Sequence, residues 1–262
     1  MEALILRELS PQEIEDLHPA DKDEYLESRT AARTRIEKTK AKDTGEYDAI
    51  HDPGEIPPNK FQAIVGDPPW KVSFPVPYPT MPTQHITRMA HHRPTCWVGD
   101  KPTPGCKGCG ILQAAHTNCH LYLWAVNSML SDALLVMQAW GFRHVNTVTW
   151  NKTIKGGIQE IDGRTWISGD HSGQGTYFRG TTELLLFGVK GSLPFREPGK
   201  YDTQLYAPRS VHSAKPDDIF WPMIMELSPG PYLEVFARRL WKGLDAKKKD
   251  VAWGNQSPDK AR

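Results

Sequence analysis

The feature that most restricts the fold of this chain is a series of short apolar segments that begins at Phe61. Six of them are predicted to be buried strands: FQAIVGD (61–67), HLYLWAV (120–126), VNTVTWNK (145–152), TELLLFGVK (182–190), YLEVFAR (232–238) and VAWGN (251–255). Each has the length of a strand rather than of a helix. Strands that alternate with helices predict an α/β fold, with a mostly parallel sheet and helices on both faces.

The segments between these strands predict two helices and one long loop. The first helix covers about 129–140 and stops at Gly141, which suits a helix terminus. Its apolar face is predicted to consist of Leu130, Leu134, Met137 and Trp140. The second helix begins at Pro216, and Pro222 inside it predicts a kink or an interruption. Residues 153–181 are rich in Gly, Thr and Ser and are predicted to form an active-site loop.

Residues 1–60 have a different composition and are predicted to be a charged helical arm followed by a loop. LSPQEIEDL carries a helix-start pattern, with Ser10 as the cap and Glu13 three residues later, and a second helix is predicted through EYLESRTAARTRIEKTKAK. Two interpretations stay open for this arm: a solvated element packed on the domain, or a binding element for a second copy or another subunit. Residues 61–262 then form the main domain.

Composition limits the class of protein. Hydrophobic residues make up 39% of the 262 residues and charged residues 24%, which suits one globular domain with a sizeable core. The net charge of +1 gives no global basic field, so any nucleic-acid surface must be local. No apolar run reaches the roughly 20 residues that span a bilayer, and MEALILRELS is a poor secretory signal. A soluble cytoplasmic protein is expected, in which cysteines are thiols or metal ligands.

The motif Asp67-Pro68-Pro69-Trp70 directly follows the first predicted strand, where α/β folds place ligand-binding groups. The prolines have no N–H and fix the backbone, so their carbonyls are expected to be free acceptors in a rigid turn. Asp67 adds an acceptor carboxylate, and Trp70 adds an aromatic face for stacking. An amino-purine needs such a set, because its exocyclic amine donates two hydrogen bonds. The motif therefore indicates a site that makes the amine nucleophilic; the alternative is a proline-rich strand end with a capping Asp.

Further motifs follow in a fixed order along the chain. They are PYPTM (77–81), LYLWAVN (121–127), AWGFRHVNTVTWNK (139–152), ELLLFGVKG (183–191), HSAKPDDI (212–219), LSPGPYLEVFARR (227–239) and WGNQ (253–256). With these motifs, residues 61–256 resemble the adenosine-N6 methyltransferase family typified by the catalytic subunit of the eukaryotic messenger-RNA writer, which has bacterial and phage DNA-modifying members. The resemblance implies a Rossmann-like S-adenosylmethionine-dependent methyltransferase fold in permuted order, with the catalytic strand early and the cofactor strands late.

The resemblance also implies roles for individual residues. Asp67 and the carbonyl of Pro68 would hold the adenine amine, with Pro69 completing the catalytic turn, while Trp70 and Tyr78 would flank the base. The residues implied for S-adenosylmethionine are Asp48, Ile50, Lys215, Glu234, Phe236, Arg238, Asn255 and Gln256. Two of them have structural alternatives, because Lys215 suits a solvated helix start and Phe236 suits a core strand.

The segment 85–120 is longer than the family pattern requires and contains all four cysteines. CKGC has the two-residue spacing of a zinc knuckle. The residues predicted as ligands of a structural zinc are Cys96, Cys106, Cys109, His116 and Cys119. The alternative is that Cys119 belongs to the start of a strand and the others are loop thiols. A thioredoxin-like redox role is not expected, since CKGC does not open a helix after a strand.

The predicted reaction is transfer of a methyl group from S-adenosylmethionine to the N6 amine of adenine in a nucleic acid. DNA is favoured over RNA, because no motif of an RNA-reading module is recognised in the sequence. The basic residues expected to grip phosphates are Lys155 and Arg179, with Lys152, Arg164, Lys247, Lys248 and Lys249 as further members. Two alternatives remain: an RNA adenosine-N6 methyltransferase, and a non-catalytic partner subunit that binds nucleic acid without the cofactor.

Overall fold

The computed structural model describes residues 60–72, 80–92, 96–98, 101–102, 108–161, 164–169, 178, 180–208, 215–237, 241, 243–244 and 250–253. The predicted N-terminal arm therefore lies outside the described residues. Within the described residues, no helix has the length and apolar character needed to cross a membrane.

The described chain contains ten strands and four α-helices. The strands are β1 (Phe61–Gly66), β2 (Trp97–Val98), β3 (Lys101–Pro102), β4 (Ala115–Ala125), β5 (Arg143–Ile161), β6 (Arg164–Gly169), β7 (Thr182–Lys190), β8 (Gln204–Pro208), β9 (Tyr232–Val235) and β10 (Val251–Trp253). The helices are α1 (Thr83–Arg88), α2 (Ile111–Ala114), α3 (Leu130–Ala139) and α4 (Asp217–Leu227), with a 3₁₀ turn at Asn127–Met129.

Eight of these strands form one sheet in the order β10-β9-β1-β4-β7-β5-β6, with β8 paired to β5. The half around β1 is parallel, because β1 pairs in parallel with β4 and β9, and β9 pairs in parallel with β10. The other half is antiparallel from β4 through β7 and β5 to β6, and only β8 adds a parallel pair. The prediction of a mostly parallel sheet was therefore wrong for this half, since β4, β7 and β5 have alternating directions.

Helices cover both faces of the sheet, as predicted. On one face α1, α2 and α3 pack on Phe61, Ile64, Leu121 and Leu123. On the other face α4 packs on a second core cluster, whose sheet residues include Ala63, Val65, Tyr122, Trp124, Trp150 and Leu185. Successive residues over 63–65 of β1 and 121–125 of β4 thus alternate between two cores, which explains why both stretches are apolar.

Helix α3 has the predicted position but a different buried face. Leu130 and Leu134 are 38% and 36% exposed, whereas the buried residues are Ala133, Val136, Met137 and Trp140. Two of the four predicted core positions were therefore wrong, because the stripe in contact with the sheet is centred on Val136 and Met137. Gly141 ends the helix with φ of 84°, a conformation that favours glycine.

The segment predicted as a long loop is partly a β-hairpin. β5 continues to Ile161 and pairs with β6, and the register shifts between Thr153 and Ile158. The loop prediction for 153–181 was therefore wrong for residues 153–161 and 164–169, which lie in these two strands. Helix α4 likewise runs from Asp217 to Leu227 without interruption, although it contains Pro222.

Candidate active site

The turn after β1 is fixed by backbone hydrogen bonds. The N–H of Asp67 donates to the carbonyl of Val235 in β9 at 3.4 Å, so Asp67 lies at the carboxyl end of the parallel half-sheet. Trp70 N–H donates to the Pro68 carbonyl at 2.8 Å, and Met81 N–H donates to the Pro69 carbonyl at 2.7 Å. The sequence predicted that both proline carbonyls are free acceptors. This was wrong, because each already accepts a backbone N–H. A carbonyl has two lone pairs, so Pro68 keeps capacity for a second donor.

Trp70 anchors this turn to the core. Its side chain belongs to the core cluster, only 5% of the residue is exposed, and its indole N–H donates to the carbonyl of Trp124 at 3.0 Å. This bond ties the turn after β1 to the end of β4. The role of Trp70 in stacking a base stays a prediction, and Tyr78 lies outside the described residues.

Four charged side chains meet at the same edge of the sheet. Lys215 Nζ lies 3.2 Å from Asp67 Oδ1 and 2.5 Å from Glu183 Oε2. The other carboxylate oxygen of Glu183, Oε1, lies 2.7 Å from Lys152 Nζ. We call this set the charge cluster: Asp67, Lys215, Glu183 and Lys152. Its members come from the end of β1, the middle of β5, the start of β7 and the residues just before α4.

Exposure differs sharply within the charge cluster. The side chain of Asp67 is 41% exposed, whereas those of Lys215 and Glu183 are 13% and 10% exposed. Lys215 also lies over the ring of Trp124, with its Nζ 5.2 Å from the ring centroid, an arrangement that favours a cation. The cluster thus presents one carboxylate to an incoming group and keeps its remaining charges inside.

The pKa values of the buried members favour their charged forms. Burial alone would raise the pKa of Glu183, but the charges and hydrogen bonds of Lys215 and Lys152 lower it below its usual value. Burial alone would lower the pKa of Lys215, but the carboxylates of Asp67 and Glu183 raise it well above its usual value. Lys215 is therefore a permanent ammonium at neutral pH and cannot serve as a general base.

Sequence reasoning missed Glu183 and did not predict the contact that Lys152 makes with it. Glu183 opens the apolar run ELLLFGV, and a lone carboxylate at the start of a buried strand was the available signal. Lys152 was predicted to contact phosphate, but in the structure its Nζ pairs with Glu183. Of the other predicted phosphate contacts, Lys155 and Arg164 lie in β5 and β6, and the remaining four lie outside the described residues.

The predicted cofactor residues fall partly within the described chain. Glu234 lies in β9, and Phe236 follows it with φ of 68°, an uncommon conformation for a residue other than glycine. Strained backbone of this kind clusters at ligand sites. After this turn, Ala237 N–H donates to the Trp253 carbonyl at 3.1 Å, beside β10. The remaining predicted cofactor residues, Asp48, Ile50, Arg238, Asn255 and Gln256, lie outside the described residues.

The predicted zinc ligands do not share one site. Among the described residues, no three His, Cys, Asp or Glu side chains converge as metal ligands. Cys96 Sγ and Cys109 Sγ lie 3.1 Å apart, but Cys119 is fully buried in the core, where burial raises its pKa to about 12. His116 instead accepts the N–H of Asn118 through Nδ1 at 3.1 Å, within β4. His116 and Cys119 thus have other contacts among the described residues, Cys106 lies outside them, and the ligand set stays a prediction.

The sequence model of the MT-A70 family matches residues 106–256. The chain is 27% identical over 182 residues to N(6)-adenosine-methyltransferase catalytic subunit METTL3 of Homo sapiens, covering 68% of this chain and 26% of that protein. It is 24% identical over 182 residues to a putative N(6)-adenosine-methyltransferase MT-A70-like of Medicago truncatula, covering 68% of this chain and 24% of the relative.

A shorter relative is matched over most of its length. The chain is 22% identical over 217 residues to Type II methyltransferase M.MunI of Mycoplasma sp, covering 78% of this chain and 81% of that protein. The chain thus spans about a quarter of the length of METTL3 and of the Medicago protein, but four-fifths of M.MunI.

Proposed function

Because the chain belongs to the MT-A70 family, we propose that it transfers a methyl group from S-adenosylmethionine to the N6 amine of adenine in a nucleic acid. One observation of the structure supports this most directly. Asp67 is a partly exposed carboxylate at the carboxyl end of β1, and Lys215 contacts its Oδ1. Such a carboxylate can accept a hydrogen bond from an amine that enters the site.

The chemistry of the chain's own residues follows from this geometry. Asp67 accepts an amine N–H, which orients the nitrogen lone pair out of the base plane and stabilises the positive charge that develops on nitrogen. Lys215 holds the carboxylate and stays protonated, so it does not take the proton that the amine loses. That proton passes to water, because a methylated amine that carries positive charge on an aromatic ring is strongly acidic and the site is open to solvent at Asp67. Catalysis therefore rests on position and electrostatics.

The residues at the end of β9 fit a nucleoside cofactor. The chain turns sharply at Phe236, next to the Val235 carbonyl that accepts from Asp67. Glu234, in the same strand, supplies a carboxylate of the kind that binds ribose hydroxyls. We propose that Glu234, Phe236 and Arg238 hold S-adenosylmethionine with Asn255 and Gln256, and that Asp48, Ile50 and Lys215 contact it. When bound, the cofactor supplies an electrophilic methyl group.

We propose further that the sheet is a Rossmann-like methyltransferase sheet in permuted order. β1, which is followed by Asp67, comes early in the chain and lies beside β9, which in turn pairs with β10, and these two strands come last. Residues 61–262 would then be the methyltransferase domain, with the Cys/His-rich insertion at about 85–120, and 1–60 a separate arm available to a partner.

DNA is the proposed substrate. The similarity to a type II methyltransferase over 81% of its length supports this choice, whereas METTL3 is matched over a quarter of its length. In a duplex the adenine has to leave the base stack before Asp67 can reach its amine. We propose that Tyr78 and Trp70 then flank the base and that Lys155 and Arg179 contact phosphates.

One experiment tests the class of reaction and its substrate together. The purified protein is incubated with S-adenosylmethionine and either a random-sequence DNA pool or a random-sequence RNA pool, and N6-methyladenine is measured by mass spectrometry. We expect methylation of DNA. Methylation of RNA alone would overturn the choice of DNA but not the reaction. No product from either pool, together with no heat of S-adenosylmethionine binding in titration calorimetry, would favour the non-catalytic partner.

A structural zinc is proposed with a smaller ligand set than the sequence predicted. The Sγ atoms of Cys96 and Cys109 lie 3.1 Å apart, and Cys106 precedes Cys109 at the spacing of a zinc knuckle. Metal binding of this kind stabilises short loops. We expect elemental analysis of the purified protein to find zinc, and Cys109→Ser to release it while Cys119→Ser retains it. A purified wild-type protein without zinc would end this proposal.

A further inference from the structure

We propose that Glu183 and Lys152 form a brace that positions Lys215, and through it Asp67, for methyl transfer. The inference rests on the proposed function and adds two positioning residues to it. The two carboxylate oxygens of Glu183 contact different lysines: Oε1 is 2.7 Å from Lys152 Nζ and Oε2 is 2.5 Å from Lys215 Nζ. Glu183 therefore connects the strand pair β5–β7 to the cation that contacts Asp67.

The brace is built on the rigid part of the sheet. Glu183 pairs with Trp150 across β7 and β5, and Lys152 lies two residues beyond Trp150, on the same face. Lys215, by contrast, precedes α4 and has a flexible four-carbon side chain. Such a lysine adopts one position only when several groups restrain it. Glu183 Oε2 supplies that restraint from the sheet, while the ring of Trp124 lies 5.2 Å from the ammonium.

The charge count of the cluster explains why a second lysine is needed. Without Lys152, the carboxylate of Glu183 would have Lys215 as the one lysine of the cluster, and Lys215 also contacts Asp67. Lys152 neutralises Glu183 at Oε1, so Lys215 can bridge Glu183 and Asp67 at once. The cluster then contains two positive and two negative groups. The two lysines thereby keep the buried carboxylate of Glu183 ionised, since their charges lower its pKa against the effect of burial.

Burial separates the brace from an ordinary surface ion pair. Glu183 and Lys152 are 10% and 14% exposed, whereas the surface pair of Lys200 and Glu226, 2.7 Å apart, is 46% and 44% exposed. Surface pairs of that kind contribute little, because water screens them. The Lys200–Glu226 pair is therefore a matched control for substitutions in the brace.

The test compares Glu183→Gln, Lys152→Met and Lys152→Arg with the control Glu226→Gln. On the substrate that the wild type methylates, we expect Glu183→Gln and Lys152→Met to lower kcat roughly 10- to 100-fold with little change in KM. The reason is that Lys215 and Asp67 lose their position for the reaction, whereas the affinity for substrate is largely kept. Lys152→Arg should recover most of the loss, and Glu226→Gln should match the wild type. Circular dichroism checks that each variant is folded.

A pH profile distinguishes positioning from a merely structural role. Asp67 and Glu183 both raise the pKa of Lys215. Removing the Glu183 charge lowers that pKa, so Glu183→Gln should lose activity on the alkaline side at a pH where the wild type is still active. The groups around the Lys215 ammonium are Asp67 after β1, Glu183 on β7 with Lys152 behind it, and the Trp124 ring on β4.

The possible results distinguish failure of the brace from failure of the proposed function. An active wild type with unchanged kcat and pH profile in folded Glu183→Gln overturns the brace but keeps the proposed function. A wild type that methylates neither DNA nor RNA overturns the function and the brace with it. If Glu183→Gln does not fold, equal activity of Lys152→Met and Lys152→Arg overturns the brace, and rescue by Lys152→Arg alone supports it.

Discussion

The two ends of helix α4 carry buried polar clusters of opposite character. Before its first turn, Lys215 belongs to the charge cluster, which is ionised and opens to the outside at Asp67. After its last turn, Ser228 belongs to a closed cluster without formal charge, in which Ser228 Oγ lies 2.7 Å from His120 Nδ1 and 2.6 Å from the Tyr122 hydroxyl. Helix α4 thus lies between the charge cluster, which is the candidate active site, and the Ser228 cluster, which stabilises the fold.

The hydrogen bonds of the second cluster form a complete set. His120 Nε2 donates to the Leu193 carbonyl at 2.7 Å, so the neutral ring leaves Nδ1 as the acceptor for the Ser228 hydroxyl. Tyr122 then donates to Ser228 Oγ, and the Tyr232 hydroxyl donates to the Ser228 carbonyl at 2.7 Å. The difference from the charge cluster is that the groups here are neutral and enclosed, whereas the side chain of Asp67 is 41% exposed. A neutral network whose groups are hydrogen-bonded to one another stabilises the fold, whereas the partly exposed carboxylate of Asp67 is accessible to a ligand.

The largest expected effect concerns the charge cluster, at its exposed member Asp67. Asp67→Ala removes the exposed carboxylate and should lower methyl transfer roughly 100- to 1,000-fold, since a preorganised acceptor of developing charge is lost. Affinity for S-adenosylmethionine should change little. Steady-state kinetics and titration calorimetry measure the two effects, with Asp202→Ala, at an exposed aspartate, as the control. Near-normal turnover in Asp67→Ala would show that the catalytic assignment is wrong.

The six predicted strands are all present, and Asp67 follows the first of them as predicted, because both features depend on local patterns. An apolar run that ends in Asp-Pro-Pro predicts a strand and a turn without knowledge of its neighbours. The charge cluster was not predicted, because Glu183 and Lys152 meet Lys215 only through the antiparallel pairing of β5 and β7. The buried face of α3 was misjudged for the same reason: Leu130 and Val136 are equally apolar in the sequence, and only the position of the sheet selects Val136.

The second prediction concerns cofactor residues that the structure does not describe. Arg238→Ala and Asn255→Ala should weaken S-adenosylmethionine binding by roughly tenfold, the loss of one hydrogen bond to a charged group. Nucleic-acid affinity should fall less. Calorimetry with the cofactor and fluorescence anisotropy with labelled DNA compare the two losses. A larger loss of DNA affinity would assign these residues to the substrate side.

The closed cluster should affect stability and leave the chemistry unchanged. Ser228→Ala leaves His120 Nδ1 and the Tyr122 hydroxyl without their partner, which should lower the free energy of unfolding by about 1–3 kcal/mol. Chemical denaturation measures this loss, and kcat at a temperature where the variant is folded should match the wild type. Ser192→Ala, at an exposed serine, should change stability by less than about 0.5 kcal/mol. An equal loss in both variants would contradict the role of the cluster.

The smallest expected effect is a dependence of stability on pH. Burial lowers the pKa of His120 and outweighs the bond to the Leu193 carbonyl, which raises it. The unfolded chain then binds a proton more readily than the folded one, so stability is complete above the unfolded pKa of about 6.5 and falls as the pH drops below it. The slope from one such group is at most about 1.4 kcal/mol per pH unit.

Denaturation at several pH values between about 5 and 8 measures this slope, around the ordinary histidine pKa. His120→Gln should flatten it, whereas His144→Gln, at an exposed histidine, should preserve the wild-type dependence. An unchanged slope in His120→Gln would mean that other groups cause the acid loss.

The charge cluster depends on contacts between residues that are far apart along the chain. Its four members come from four separate stretches of chain, and the last of them, Lys215, follows β8. Contacts between distant segments form late, because each requires the closure of a long loop. The ion pairs at Lys215 therefore need β1, β5, β7 and the start of α4 to be in place together. Methyl transfer then requires that all these distant segments have been brought together.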